Sequence, residues 1–227
     1  MNETTRSANT VVITGANRGI GLAIAQIYGK RGDRVIALCR RASKELRNSG
    51  AEIVEDVDVT SSEALQDAAA AVGDVDVLIA NAGVLSNEPL SAVAEATDRI
   101  ARQFSVNALG PLLTVHAFAD QLVKGAKVAL ITSRMGSMTD NSSGGSYGYR
   151  MSKAALNAAG RSLAIDLAPR GISVSLLHPG YVRTDMTGGR GDVEPSEAAA
   201  RLVERIDDLS AANSGTFRHA NGEELPW

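Results

Sequence analysis

The chain has 227 residues, 44% hydrophobic and 22% charged, with 23 lysines and arginines against 26 aspartates and glutamates, for a formal net charge of -3. That length fits one large α/β or β domain or two small ones, and leaves no room for a separate catalytic domain beside a full nucleotide-binding domain. The average composition excludes disorder, collagen and coiled coil, and the acid excess excludes the basic footprint expected of a nucleic-acid-binding protein.

The single cysteine, Cys39, cannot close an intramolecular disulfide or build a multi-thiolate metal site, which points to a reducing compartment. Residues 1–10 lack the apolar segment of a secretory signal. The longest uncharged run, residues 104–119, contains Asn107, Gly110, Pro111 and His116 and falls short of a membrane span. The expectation is a cytoplasmic protein with neither membrane nor nucleic acid as partner.

Residues 11–14, Val-Val-Ile-Thr, form a β-branched run ending in a glycine-rich turn. Residues 20–28 then place Ile20, Ala23, Ile24 and Ile27 at helical spacing. A second buried strand is predicted at 35–39, a short charged helix at 42–48 and a third strand at 52–57. Thr60 and Glu63 have the spacing of a capping box for a helix over 65–71, and the fourth strand is 75–80. A long helical region is expected from about 92 to 124, a fifth strand at 128–132, a second long helix from about 147 to 168, and a sixth strand at 172–177. In the tail, Asn221-Gly222 between short extended runs predicts a type I′ hairpin. Strands that are apolar throughout and separated by helices predict an α/β fold: a doubly wound parallel sheet with helices on both faces, spanning 1–227 as one domain.

The turn Thr14-Gly15-Ala16-Asn17-Arg18-Gly19-Ile20-Gly21 lies between the first strand and its helix. Residues without Cβ let the chain turn tightly and let phosphates reach free N–H groups at a helix N-terminus. The spacing differs from G-x-G-x-x-G and from a Walker A loop; a turn that merely packs is the plain alternative. Further on, Tyr149 and Lys153 stand one helical turn apart on one face. Reduction of a carbonyl by hydride needs a proton donor at the oxygen, and the reverse reaction needs a base there. A phenol, with a pKa near about 10, needs a neighbouring cation to serve as that base, and Lys153 is placed to supply one. Ser133, at the end of the fifth strand, is placed to hold the same oxygen from the other side. Tyr147 is a weaker candidate, because Met151 occupies its fourth-on position. A solvated helix face with a snorkelling lysine is the plain alternative for the Tyr/Lys pair.

Gly-x-x-x-Gly-x-Gly after the first strand resembles the short-chain dehydrogenase/reductase family, and further motifs follow in that family's order. They are Asp58-Val59 after the third strand, Asn81-Ala82-Gly83 after the fourth, Asn107, Ser133, Tyr149-x-x-x-Lys153, and Pro179-Gly180-x-Val182-x-Thr184 after the sixth. The runs 133–137 and 149–157 and the Leu225-Pro226-Trp227 terminus resemble the C-factor branch, which is similar to carbonyl reductases. The resemblance implies a single Rossmann-type sheet and a nicotinamide dinucleotide held by Gly15, Asn17, Arg18, Gly19, Ile20 and Gly21. It further implies contacts from Asp58 and Val59, from Asn81, Ala82 and Gly83, and from Pro179, Gly180, Val182 and Thr184. The resemblance also implies that Tyr149 and Lys153 touch the cofactor, Lys153 at the ribose, and that Asn107 joins a water relay to bulk solvent. Homodimers or homotetramers through the two long helices are also implied, and the small residues Ala154, Ala155, Ala158 and Ala159 suit a close helix contact.

The second strand ends Leu38-Cys39-Arg40-Arg41, with no carboxylate for the ribose hydroxyls of NAD, while arginine receives the 2′-phosphate of NADP. With Arg18 in the turn, the expected preference is NADP(H) over NAD(H). The expected activity is NADP(H)-dependent interconversion of a small carbonyl compound and its alcohol. Two rivals stand beside it. One is a cofactor-bound signalling or regulatory protein of the same fold. The other is an α/β-hydrolase using Ser146 in Gly144-Gly145-Ser146-Tyr147-Gly148, with Asp185 and His219; it lacks the apolar strand that such a serine must follow. His116 is expected to pack, His178 before Pro179-Gly180 is expected either to edge the pocket or to make a strand-end contact, and the three histidines have no metal-ligand spacing. The resemblance places the substrate cover after Thr184, and that short stretch, with Gly188, Gly189 and Gly191, implies an open substrate pocket or one that orders only on binding.

Overall fold

The structure, a computed structural model, describes residues 8–227. The expectation about a leader falls mainly on residues 1–7, outside the described residues. Seven parallel strands form one sheet: β1 Thr10–Thr14, β2 Arg34–Leu38, β3 Glu52–Val54, β4 Val75–Ala80, β5 Leu122–Ile131, β6 Ser173–His178 and β7 Phe217–His219. Their order is β3-β2-β1-β4-β5-β6-β7. The helices are α1 Gly19–Lys30, α2 Lys44–Arg47, α3 Ser62–Ala70, α4 Thr97–Phe104, α5 Gly110–Ala117, α6 Tyr147–Leu167 and α7 Pro195–Asp207. Among the described residues, no helix is long and apolar enough to cross a membrane.

Alternation along the strands makes the two layers. Val12, Leu78, Leu130 and Leu176 point to one face and pack with Leu65 of α3, Val115 of α5 and Leu156 of α6. Their strand neighbours Val11, Ile13, Ile79, Ile131 and Leu177 point to the other face and pack with Ile24 of α1 and Leu202 of α7. Because side chains on both faces are buried, the strands read as unbroken apolar runs. The doubly wound expectation is met.

Local boundaries differ where a competing contact, local or tertiary, overrides the pattern. The α3 cap is Ser61, whose hydroxyl accepts the Ala64 N–H at 3.2 Å, and not Thr60. Thr60 is already committed, its N–H and hydroxyl both donating to the Asp58 carboxylate. The helical region expected to about residue 124 ends at Ala117 and is interrupted by a π-helical turn, Ser105–Leu109. Pro111 has no N–H for the Asn107 carbonyl four residues back, and the Gly110 N–H donates instead to Ser105. Residues 122–124 belong to β5, where Leu122 pairs with Val75. β3 stops at Val54, and Asp56 takes φ 61°. The tail does reverse direction, but Asn221 keeps a negative φ, so the turn is not type I′. The Gly222 N–H closes on His219 at 2.8 Å and Gly222 itself takes φ 98°, a type I turn followed by a bulge glycine. The returning chain pairs with β7, His219 donating to Glu223 and Leu225 donating to Phe217, each at 2.8 Å.

Gly21 shows how tightly the first crossover is built: a Cβ there would lie 2.5 Å from the Gly15 carbonyl oxygen and 2.5 Å from Asn81 Nδ2. Gly29, on the same helix, would meet nothing nearer than 3.6 Å. Gly21→Ala is therefore expected to cost about 1–3 kcal/mol in urea unfolding, whereas Gly29→Ala is neutral or stabilises by up to about 1 kcal/mol.

Candidate active site

The strand order reverses direction between β1 and β4, so the chain leaves these neighbouring strands toward opposite faces and opens a crevice at their carboxyl ends. Thr14 and Asn81 lace the opening together. The Thr14 hydroxyl accepts the N–H groups of Asn81 and Ala82 at 3.1 and 3.2 Å, and Asn81 Nδ2 donates to the carbonyls of Thr14 and Gly15 at 3.0 and 3.2 Å. A cavity of about 770 Å³ fills the crevice. Its wall includes Gly15, Asn17, Arg18, Gly19, Ile20, Arg40, Asp58, Val59, Asn81, Ala82 and Gly83, and at the far end Tyr149, Lys153, Pro179 and Thr184. Most of the residues expected at the site thus line one space.

The glycine turn suits a phosphate. Arg18 precedes α1 without a side-chain cap, and the first turn carries no acid, so its N–H groups face the cavity without a side-chain acceptor. Gly15, at φ 67°, lies so close to the turn after β4 that a Cβ would sit 2.9 Å from the Ala82 Cα. Arg40 and Arg41 stand on the wall and form no ion pair among the described residues. Asp58 is held below the ordinary carboxylate range, first by the N–H and hydroxyl of Thr60 and then by the charges of Arg40 and Arg102. These features fit a dinucleotide carrying an extra phosphate. Gly21, Gly180 and Val182 are off the wall. Gly21 packs against Gly15 and Asn81 as described, while buried Val182 pairs with Val193 and Gly180 faces His219.

At the other end of the cavity, burial pushes the Tyr149 phenol above its ordinary value, and a hydrogen bond with Ser133 pulls the other way. Lys153 is buried, and its ammonium donates to the Ile131 carbonyl at 2.9 Å. Burial lowers its pKa from 10.5 to about 8. Its Nζ lies 5.8 Å from the centre of the Tyr149 ring, so the phenol and the cation are neighbours as the helical spacing requires. Ser133 lies just behind the wall and reaches the phenol by its side chain. Asn107 is also behind the wall and fully buried. Its side-chain oxygen accepts the Val84 N–H at 2.8 Å, and its Nδ2 donates to the Val84 carbonyl at 2.9 Å and to the Ser152 hydroxyl at 3.0 Å.

Several wall residues were not read from the sequence as part of this cavity. Asp185 forms an ion pair with Arg18 at 2.8 Å, joining the glycine turn to the segment after β6. Arg102 from α4 and Met186 from the same late segment complete the rim; only their tertiary placement brings them there. The proposed hydrolase constellation does not assemble. The Ser146 hydroxyl donates to Asn87 at 2.8 Å, Asp185 is bound to Arg18, and the His219 ring packs edge-on against His178 at 5.1 Å. Ser146 also opens a helix without a preceding strand. Burial, followed by the charges of His219, Arg134 and Lys153, lowers His178 to about 3, a packing role. Among the described residues, no group of three or more His, Cys, Asp or Glu is arranged for a metal ion.

The family model described as short chain dehydrogenase matches residues 9–195. The chain is 40% identical over 227 aligned positions to 1-hydroxy-2-glutathionyl-2-methyl-3-butene dehydrogenase of Rhodococcus sp. (strain AD45), covering 96% of this chain and 100% of that one. It is 46% identical over 157 positions to C-signal of Myxococcus xanthus, covering 68% and 94%. Among solved structures, the NADPH-bound carbonyl reductase from chicken fatty liver superposes with a TM-score of 0.88 at 29% identity, covering 97% of this chain and 99% of that one. The family match runs from just before β1 to the start of α7, through every strand end that lines the cavity, and the chain belongs to the short-chain dehydrogenase family of oxidoreductases.

Proposed function

We propose that the protein interconverts a small carbonyl compound and its alcohol with NADP(H), which is favoured over NAD(H). The observation that carries this reading is the placement of Tyr149, hydrogen-bonded to Ser133 and beside the Lys153 cation, on the same cavity wall as the glycine turn and the unpaired Arg40 and Arg41. The dinucleotide, when bound, supplies or accepts the hydride. Gly15, Asn17, Gly19 and Ile20 would hold its pyrophosphate, Asp58 and Val59 its adenine end, and Arg40, Arg41 and Arg18 the extra phosphate. Tyr149 gives its phenolic proton to the substrate oxygen in reduction and takes it back in oxidation. Ser133 holds that oxygen, and Lys153 stabilises the phenolate by its charge. Asn107 fixes the chain at Val84, where it serves proton exchange with solvent. The late segment, with exposed Tyr181 and Met186, offers an apolar rim to the substrate.

The chain is read as one domain, acting in the cytoplasm as a homodimer or homotetramer through its long helices, with no nucleic-acid or membrane partner. The likeness to C-signal favours a second reading, a cofactor-bound signalling protein of the same fold with little turnover. A panel of aldehydes, ketones and quinones, together with an alcohol of a glutathione thioether, separates the two. Turnover supports the enzyme; cofactor binding without turnover supports the signalling protein.

Three outcomes are expected. Tyr149→Phe lowers kcat by about 10²- to 10⁴-fold while leaving NADPH affinity near that of the wild type in a fluorescence titration. Arg40→Ala with Arg41→Ala weakens NADPH binding by about 10- to 100-fold, the loss of one or two charge-assisted hydrogen bonds, with little effect on NADH. Lys153→Met removes a buried charge, so its effect on stability depends on pH. Between about pH 8 and 10.5 the folded wild type has released a proton that the unfolded chain still holds, and wild-type stability rises with pH across that window. Urea melts of the two proteins are therefore expected to show Lys153→Met gaining most relative to wild type below pH 8. That advantage then shrinks by up to about 3 kcal/mol as the pH approaches 10.5.

A further inference from the structure

Glu88 has 0% solvent exposure, yet no cation lies within ion-pair distance among the described residues. Its carboxylate accepts from Gln103 Nε2 of α4 at 2.7 Å and from the Gly148 N–H in the first turn of α6 at 3.2 Å. The orientation of Gln103 is fixed in turn, because its Oε1 accepts the Ser86 N–H at 2.8 Å. The Ser146 N–H donates to the Glu88 carbonyl at 3.1 Å, so main chain and side chain of Glu88 both grip the start of α6.

This contact replaces a missing cap. Ser146 precedes α6 in the left-handed conformation, φ 49° and ψ 44°, and its side chain makes no capping bond. The exposed N–H groups of a helix start favour a negative charge, and Glu88 brings one from a loop 60 residues away in sequence. Both partners of its carboxylate are donors, so the site calls for a side chain that only accepts on both arms. Gly148 lets this happen, since a Cβ there would collide with Gln103 Nε2.

We propose that Glu88 is a positioning residue for Tyr149, clamping the first turn of α6 to α4 and to the loop that runs from Val84 on the cavity wall. Tyr149 is the residue after Gly148, so a slip of the first turn passes to the phenol and its hydrogen bond with Ser133. The inference rests on the reading of Tyr149 as proton donor given above. It adds a residue outside the cavity wall that sets where the proton sits.

The test uses Glu88→Gln and the swapped double variant Glu88→Gln/Gln103→Glu. The single variant faces an amide N–H against a donor. The swap restores every bond, with the new amide at position 88 donating to a carboxylate at position 103 that still accepts the Ser86 N–H. At a temperature where circular dichroism shows all proteins folded, Glu88→Gln is expected to lower kcat at least about tenfold, as displacement of a reacting group by a fraction of an ångström does. NADPH affinity stays within about twofold, because the clamp does not touch the cofactor wall. The swap returns kcat to within about threefold of wild type. A second readout needs no turnover. The chain has four tyrosines, so ¹³Cζ-tyrosine NMR with Tyr149→Phe for assignment follows Tyr149 directly. Its resonance is expected to move in Glu88→Gln and to return in the swap, while those of Tyr28 and Tyr181 stay in place. A folded Glu88→Gln with unchanged kcat and an unmoved Tyr149 resonance overturns the proposal. If Glu88→Gln does not fold, the swap decides: a native Tyr149 resonance supports the clamp, and a folded swap with a displaced one overturns it. A wild type without turnover defeats the enzymatic reading alone, because the NMR comparison still judges the clamp.

Discussion

Four hydrogen bonds between the end of β1 and the end of β4, made by Thr14 and Asn81, set the geometry on which the rest of the cavity depends. The two strands are neighbours in the sheet, but their following segments depart to opposite faces. Without ties at the point of departure, main-chain groups there would face a widening gap without partners, at a cost of roughly 1–3 kcal/mol for each one buried. Thr14 and Asn81 satisfy them while leaving the N–H groups of the α1 first turn open to the crevice. The fold and the shape of the glycine turn are consequences of the same ties, which is why Gly15 and Gly21 have no room for a side chain.

The other end of the cavity works against stability. Lys153 is buried and shares one hydrogen bond with Ile131, and its lowered pKa records the cost of holding a charge there. Tyr149 bears the opposite pressure, since burial disfavours its phenolate. Each group is poorly solvated alone, and each relieves the other when the phenol loses its proton. A pair arranged in this way concentrates its mutual attraction in the ionised state that a proton transfer creates, and that concentration is the property a proton-transfer site requires.

Much of this was readable from local spacing. The glycine turn, Asn81-Ala82-Gly83 and the Tyr149/Lys153 interval all lie within single strand-to-helix junctions or single helical turns, where residue order dictates geometry. The apolar strands foretold a sheet covered on both faces because each of their side chains is buried on one face or the other. What escaped depends on competition for a single polar group or on partners distant in sequence. Asp58 takes Thr60 out of the capping role, Val75 draws Leu122 into a strand, and Asp185 reaches Arg18 across 167 positions. Glu88 looks in the sequence like an ordinary loop acid before a proline. Only the approach of α4 and α6 makes it a buried acceptor.

The returning tail has a consequence beyond its own packing. β7 is an edge strand, and such a strand ordinarily presents a row of free N–H and carbonyl groups to any passing chain. Here His219 and Phe217 spend theirs on Glu223 and Leu225. At the opposite edge, β3 is only three residues long, and Glu52 within it is gripped by Arg34 through two hydrogen bonds at 2.8 Å. Neither end of the sheet is a long bare ribbon, so growth by adding strands is obstructed at both. The folded sheet therefore offers a second chain no free strand to extend, and side-by-side stacking of copies through their sheet edges is disfavoured.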